Sequence, residues 1–268
     1  VHGFHLLGTP ILPTPSRFNG VTHDSRKVTP GDIYVALRGA NFDGHDFIAN
    51  AMSMGAAAVI VEQSRQALLL AGNIPGWSVQ DPRQVMGYVA DIVYNHPTHH
   101  MHVVGVTGTN GKTSTTHIIA HLAKGLFQQT GIIGTLGAFA SGVSVPGQRT
   151  TPEAPDLQSM LSAMQSHSVD IVAMEVASHA LVHGRVNGCL FDAAVFTNLT
   201  QDHLDFHGTQ EEYFRAKLRL FNGEFSETGI VNADDSFGQK IIEQADISMI
   251  PFSMQTRESG PSTKSAMS

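Results

Sequence analysis

Cysteine is nearly absent: Cys189 stands alone among 268 residues. A single thiol excludes an internal disulfide framework and a four-cysteine zinc site, and it fits a reducing compartment. Basic charge is also scarce, with 16 Lys and Arg against 23 Asp and Glu and a formal net charge of -7. That balance offers no surface for nucleic acid. No apolar run approaches the roughly 20 residues that a membrane span needs, so no membrane insertion is expected. The start, Val1-His-Gly-Phe-His-Leu6, has neither an initiator Met nor a basic stretch followed by a long apolar one. A signal peptide is therefore unsupported, and a cytoplasmic location is expected. What is present is an ordinary globular composition, 41% hydrophobic and 15% charged, over a length that suits two domains.

The pattern along the chain is α/β. Ile33 to Leu37 reads as a strand after the Pro30-Gly31 turn, followed by a helix from about Asp46 to Met54, a stop at Gly55 and a buried strand from Ala56 to Val61. Asp81-Pro82 reads as a helix start, with Asp as cap and Pro in the first turn, and Val85, Val89, Ile92 and Val93 recur at helical spacing. A domain boundary is expected near residues 96 to 101, where polar residues and histidines break both periodicities. Beyond it, apolar strands alternate with helices, the pattern of a mainly parallel sheet covered on both faces. The strands are placed at Val103 to Val106, Ile171 to Met174, Ala194 to Thr197, Gly229 to Val231 and, more weakly, Ile247 to Ile250. Helices are placed at about 113 to 124, 153 to 166, 210 to 221 and 236 to 244. The expected organisation is a small N-terminal α/β domain (1–100), a central sheet domain (101–250) and a Ser-rich disordered tail (251–268).

Chemistry concentrates in the segment from Val103 to Thr116, which runs apolar strand, glycine-rich turn, helix start. That is the order a phosphate loop requires. Gly108, Thr109, Asn110 and Gly111 bring backbone N–H groups toward anionic oxygens, Lys112 reaches terminal phosphates, and Thr113 offers a hydroxyl to Mg2+. Val106 stands where the generic motif has glycine, so the loop is a variant form built for an ATP-type nucleotide. An acid is needed beside it. Glu175, closing the strand from Asp170, is placed where a parallel sheet presents ligands.

With these residues in view, the chain resembles the Mur ligases of bacterial cell-wall synthesis, closest to the UDP-N-acetylmuramoyl-tripeptide synthetase branch. The likeness rests on Asp24-Ser25-Arg26, Thr107 to Thr113, Thr150-Thr151-Pro152, Glu175 to Leu181 with Arg185, Asn198 to Asp205, Tyr213 to Lys217 and Asn232 to Asp235. The resemblance implies that ATP phosphorylates a carboxylate of UDP-N-acetylmuramoyl-L-alanyl-D-glutamate. The amine of L-lysine or meso-diaminopimelate then attacks the acyl phosphate in peptidoglycan synthesis.

The resemblance also assigns roles. Lys112 stabilises the transferring phosphoryl group, Thr113 and Glu175 serve one magnesium, His203 serves a second, and Lys217, once carbamylated, helps bind metal. An unmodified Lys217 would instead snorkel to water. Asp202 and Asp205 are both open as partners of His203. Asn232 is placed beside adenine, Ser25 at the uridine nucleotide, and Thr150, Thr151, Ser178 and Arg185 at the muramoyl peptide. Thr151 has a second reading as the N-cap of the next helix, whereas Arg185 has no structural reading of its own. Ala177, His183 and Arg149 depart from residues frequent in the family. Family members carry a third, C-terminal domain for the incoming amino acid, so the 268-residue chain alone is expected to bind nucleotide without forming the amide. The sequence leaves the choice of amino acid and the oligomeric state open.

Overall fold

The computed structural model describes residues 4–254, which build two sheets. The first is wholly parallel: β1 (Val21–Thr22), β2 (Ile33–Val35), β3 (Ala58–Glu62) and β4 (Gly76–Val79), in the order β1-β2-β3-β4. Its helices are α1 (Ile48–Ser53), α2 (Gln66–Gly72) and α3 (Pro82–Val93). Strand alternation divides the buried residues between the two faces. Ile33, Val35 and Ile60 pack with Trp77 and Val89 on one side, while Tyr34, Val59 and Val61 pack with Ile48 and Leu69 on the other. Helix α3 starts as its sequence dictates. The Asp81 carboxylate accepts from Arg83 N and Gln84 N, with Pro82 at the first turn.

The second sheet holds β5 (His102–Thr107), β6 (Thr130–Gly134), β7 (Gly137–Ala140), β8 (Val143–Pro146), β9 (Ile171–Glu175), β10 (Phe191–Phe196), β11 (Ser226–Asn232) and β12 (Ser248–Phe252). Its helices are α4 (Lys112–Ala123), α5 (Ala154–Ser166), α6 (Ser178–Val182), α7 (Leu204–His207), α8 (Gln210–Leu218) and α9 (Ser236–Gln244). The strand order is β12-β11-β10-β5-β9-β6-β7-β8, with only β7 and β8 entering by antiparallel pairing. Strand β5 therefore sits centrally, with later strands added on both sides of it. Such a reversal opens a crevice at the carboxyl ends of the strands.

Several local expectations change. The helix placed from Asp46 begins as a 3-10 turn over Gly44–Phe47 before α1, and the end of the 210–221 helix tightens to a 3-10 turn over Arg219–Phe221. Strands β1, β4 and β6 to β8 and helices α2, α6 and α7 fall outside the elements expected from the sequence; they are short, and Gly131, Gly134 and Gly137 dilute the β pattern. Strand β12 runs through Pro251 and Phe252, two positions assigned to the tail. Proline is tolerated there because an edge strand leaves one row of N–H groups unpaired anyway. The rest of the expected tail, 255–268, lies outside the described residues.

Helix α3 joins the sheets. Gln84 Nε2 donates to Val182 O at 3.1 Å, and Asn187 Nδ2 donates to Gln84 O at 2.8 Å. At Gly87 the helix comes so close that an added Cβ would stand 2.3 Å from the Asn187 carbonyl oxygen. Gly87→Ala thus sets about 1 kcal/mol of helix propensity against a backbone clash that costs about 1–3 kcal/mol. We expect a net loss of stability, read as a lower urea midpoint. A variant stabilised by the full propensity gain would contradict this packing.

Candidate active site

The loop after β5 is shaped by its neighbours as much as by its glycines. A Cβ on Gly108 would lie 1.9 Å from Thr197 Oγ1, so only glycine lets the loop pass the end of β10. Gly111, at φ +85°, caps α4 and turns the chain into the helix. Polar contacts then fix the loop: Thr109 N donates to Asn198 O at 2.9 Å, Asn110 N to Asn198 Oδ1 at 3.0 Å, and Thr197 Oγ1 to Asn110 O at 2.7 Å. Thr109 Oγ1 accepts from Thr200 N at 3.0 Å and lies 3.2 Å from Tyr213 OH.

Two amines converge on this loop. Lys112 Nζ donates to the carbonyls of Gly108 and Thr109, each at 2.9 Å, and Lys217 Nζ donates to the same Gly108 carbonyl at 2.9 Å. Lys217 is only 1% exposed and lies 4.5 Å over the Tyr213 ring. It does not snorkel, because α8 turns this face inward onto the loop after β5. Burial pushes both amines below the usual lysine range, with Lys112 lowering Lys217 further and Glu175 partly restoring Lys112.

Glu175 is likewise buried, at 1% exposure, rather than a solvent-facing strand end. Its Oε1 accepts from Thr113 Oγ1 and Thr135 N, each at 2.9 Å, and Oε2 accepts from Thr135 Oγ1 at 3.3 Å. The register that pairs Val106 with Glu175 brings the acid to the loop. Thr113 and Glu175 thus place hard oxygen donors side by side at the head of α4, a donor set that suits magnesium, which keeps waters and phosphates as its other ligands. His203 does not join them. Its backbone is left-handed at φ +52°, its ring meets Asp202 at 3.4 Å and stands edge-on to His179 at 4.9 Å. Among the described residues no group of three His, Cys, Asp or Glu side chains is arranged around a metal position.

The residues assigned to the peptide surround this centre. Thr150 Oγ1 lies 3.1 Å from Thr135 Oγ1. Thr151 is not the N-cap of α5, a position that Glu153 occupies. Its hydroxyl instead donates to Glu175 O at 2.9 Å and accepts from Ala177 N at 3.0 Å, tying off the end of β9. Arg185 does have a structural partner: Nη2 lies 2.9 Å from Glu153 Oε1, and Nη1 donates to Thr151 O at 3.4 Å. Ser178 Oγ is buried 2.9 Å from His207 Nε2. Asn232 closes β11, donating to Thr197 O at 3.2 Å and accepting from Asp234 N at 3.0 Å. Ser25 is remote from the loop, in a cavity of about 720 Å3 with Asp24, Tyr34, Phe42 and Arg83. Thr135, Glu153 and His207 went unnoticed as site residues in the sequence. Only tertiary structure brings them in.

Residues 106–265 match the family model described as the Mur ligase middle domain, more than half of the chain. The chain belongs to the Mur ligase family. Residues 17–94 match a second model, the Mur ligase family catalytic domain. Among curated relatives, the UDP-N-acetylmuramoyl-L-alanyl-D-glutamate--2,6-diaminopimelate ligase of Streptomyces avermitilis is 44% identical over 262 residues, covering 94% of this chain and 52% of its own. The enzyme of that name from Geobacillus thermodenitrificans is 50% identical over 198 residues, covering 74% of this chain and 40% of its own. A solved structure of a diaminopimelate ligase superposes with a TM-score of 0.77 at 30% identity, covering 96% of this chain and 53% of that one. The chain spans about half the length of the curated relatives it matches. No helix among the described residues is long and apolar enough to cross a membrane.

The imidazole cluster makes the fold sensitive to acid. Burial pushes His207 down to about 4, with His179 and Lys217 adding to the shift, and burial also lowers His179. The unfolded chain therefore binds more protons between about pH 6.5 and 4, so stability is full above that window and falls as pH drops through it. Urea midpoints between pH 7 and pH 4 should decline, and His207→Gln should flatten part of that decline. An equally steep decline in the variant would remove His207 from the account.

Proposed function

We propose that this chain carries the carboxylate-activating centre of an ATP-dependent ligase that extends UDP-N-acetylmuramoyl-L-alanyl-D-glutamate in peptidoglycan synthesis. The observation that carries the reading is the meeting of Lys112, Lys217, Thr113 and Glu175 around one phosphate loop. A carboxylate resists attack by an amine until one of its oxygens becomes a leaving group. Transfer of the ATP terminal phosphoryl makes it one, and attack by the amino acid releases phosphate. With the Thr109 and Asn110 N–H groups held by Asn198, the N–H groups of Gly111 and the first turn of α4, together with Lys112, bind and orient the phosphates and offset the charge on the moving phosphoryl group. Thr113 and Glu175 would hold magnesium, which supplies further charge neutralisation when bound. The names of the diaminopimelate ligases above support 2,6-diaminopimelate rather than L-lysine as the incoming amine.

We read the two sheets as two domains. The N-terminal one (1–100) presents Ser25 to the uridine nucleotide, and the central one (101–250) presents Thr150, Thr151, Ser178 and Arg185 to the peptide and Asn232 to adenine. His203 serves a second magnesium in this reading, and soluble nucleotide substrates place the reaction in the cytoplasm. Burial favours the neutral amine of Lys217, the form able to attack CO2 and lose a proton to give a carbamate.

Lys112→Ala should lose nucleotide affinity on titration with a non-hydrolysable ATP analogue while its circular-dichroism spectrum stays unchanged. Affinity equal to the parent's would defeat the phosphate-loop role. Incubation with 13C-bicarbonate should give a carbamate carbonyl resonance that Lys217→Arg removes. A resonance surviving in the variant would place the modification elsewhere.

A further inference from the structure

Three guanidinium groups meet one carboxylate where the two sheets join. Glu153 Oε1 lies 2.9 Å from Arg185 Nη2 and 3.8 Å from Arg149 Nε, and Oε2 lies 3.6 Å from Arg83 Nη1. The other charged groups nearby do not restore balance: Asp156 pairs with Lys27 at 3.7 Å, and burial pushes both His23 and His183 toward the neutral form. The cluster keeps a surplus of positive charge. It also keeps unused hydrogen-bonding capacity, since Arg185 Nε is buried without a partner and Glu153 Oε2 accepts no hydrogen bond.

Its position adds a direction. Arg83 belongs to α3 and lines the Ser25 cavity, whereas Glu153 and Arg149 line a second cavity, of about 160 Å3, that includes Gly134. Gly134 in turn abuts Glu175: a Cβ there would stand 2.2 Å from Glu175 Oε1. The arginines therefore lie along the way from the Ser25 cavity to the phosphate loop. Planar guanidinium groups in that place suit a carboxylate, which they can grip through two parallel N–H donors.

We propose that Glu153 gathers Arg83, Arg149 and Arg185 into a receptor for a carboxylate of the bound peptide, with Arg83 as the N-terminal sheet's contribution to it. This rests on the ligand reading given above. Glu153 acts as a positioning residue. It touches the three cations rather than the ligand, and without it their mutual repulsion spreads them. Net charge and positioning then make opposite forecasts for Glu153→Gln. Greater positive charge alone would tighten anion binding, whereas loss of the anchor weakens it.

The test is calorimetric titration of the 268-residue protein with UDP-N-acetylmuramoyl-L-alanyl-D-glutamate and with UDP-N-acetylmuramoyl-L-alanine, which lacks the glutamate. The parent should prefer the dipeptide nucleotide. Arg83→Gln and Glu153→Gln should each weaken dipeptide binding by about tenfold or more while changing the shorter ligand by only about twofold. Glu153→Asp should recover part of the loss. Arg83 is partly exposed, so its variant carries the test should Glu153→Gln fold poorly. An unchanged preference in Arg83→Gln, or tighter dipeptide binding in Glu153→Gln, overturns the proposal. Equal binding of both ligands by the parent overturns it while sparing the nucleotide reading, and binding of neither removes both.

Discussion

The carbonyl oxygen of Gly108 accepts from two lysine amines, and much of the centre follows from that convergence. Ammonium groups held this close in a poorly solvated place repel each other and lose hydration together. The carbonyls of the loop relieve only part of that cost, because a dipole is a weak substitute for a counter-charge. Glu175 stands near but spends its oxygens on Thr113 and Thr135. The arrangement is thus short of negative charge, which on the reading proposed above a polyphosphate would supply. Nucleotide affinity and the tuning of the lysines would then share one electrostatic origin.

The sheet order makes this convergence possible. Because β5 lies between β9 and β10, its loop receives an acid from one neighbour and the Thr197–Asn198 clamp from the other. Helix α8 then closes over the loop, with Tyr213 touching Thr109 and Lys217 reaching Gly108. Each contribution comes from a different stretch of chain, yet all arrive at the carboxyl edge of parallel strands.

How much of this was legible in the sequence depended on how local each signal is. The strand, glycine turn and helix start could be placed because strand, glycines, Lys112 and Thr113 are contiguous, and the position of Glu175 because it ends an apolar run. The start of α8 is equally local, since the Thr209 hydroxyl accepts from Glu212 N three residues on. Thr151 misled because a threonine before proline carries the same local signature whether it caps a helix or, as here, ties off β9. Lys217 could be placed on a helix, but periodicity does not say which face turns inward. Thr135 follows glycine-rich β6, whose strand character comes from pairing with β9 rather than from its own residues. Glu153 and Arg185 are far apart in sequence, and nothing in either neighbourhood announces the other.

The stitching of α3 to the segment from Val182 to Asn187 has a geometric corollary. A ligand seated at Ser25 and reaching Arg185 must bridge a span set by a helix anchored through Gln84 and packed through Gly87. On the ligand reading proposed above, that fixed span would act as a gauge of the length between nucleotide and carboxylate. Such selection would need no moving part, only a helix that holds its distance.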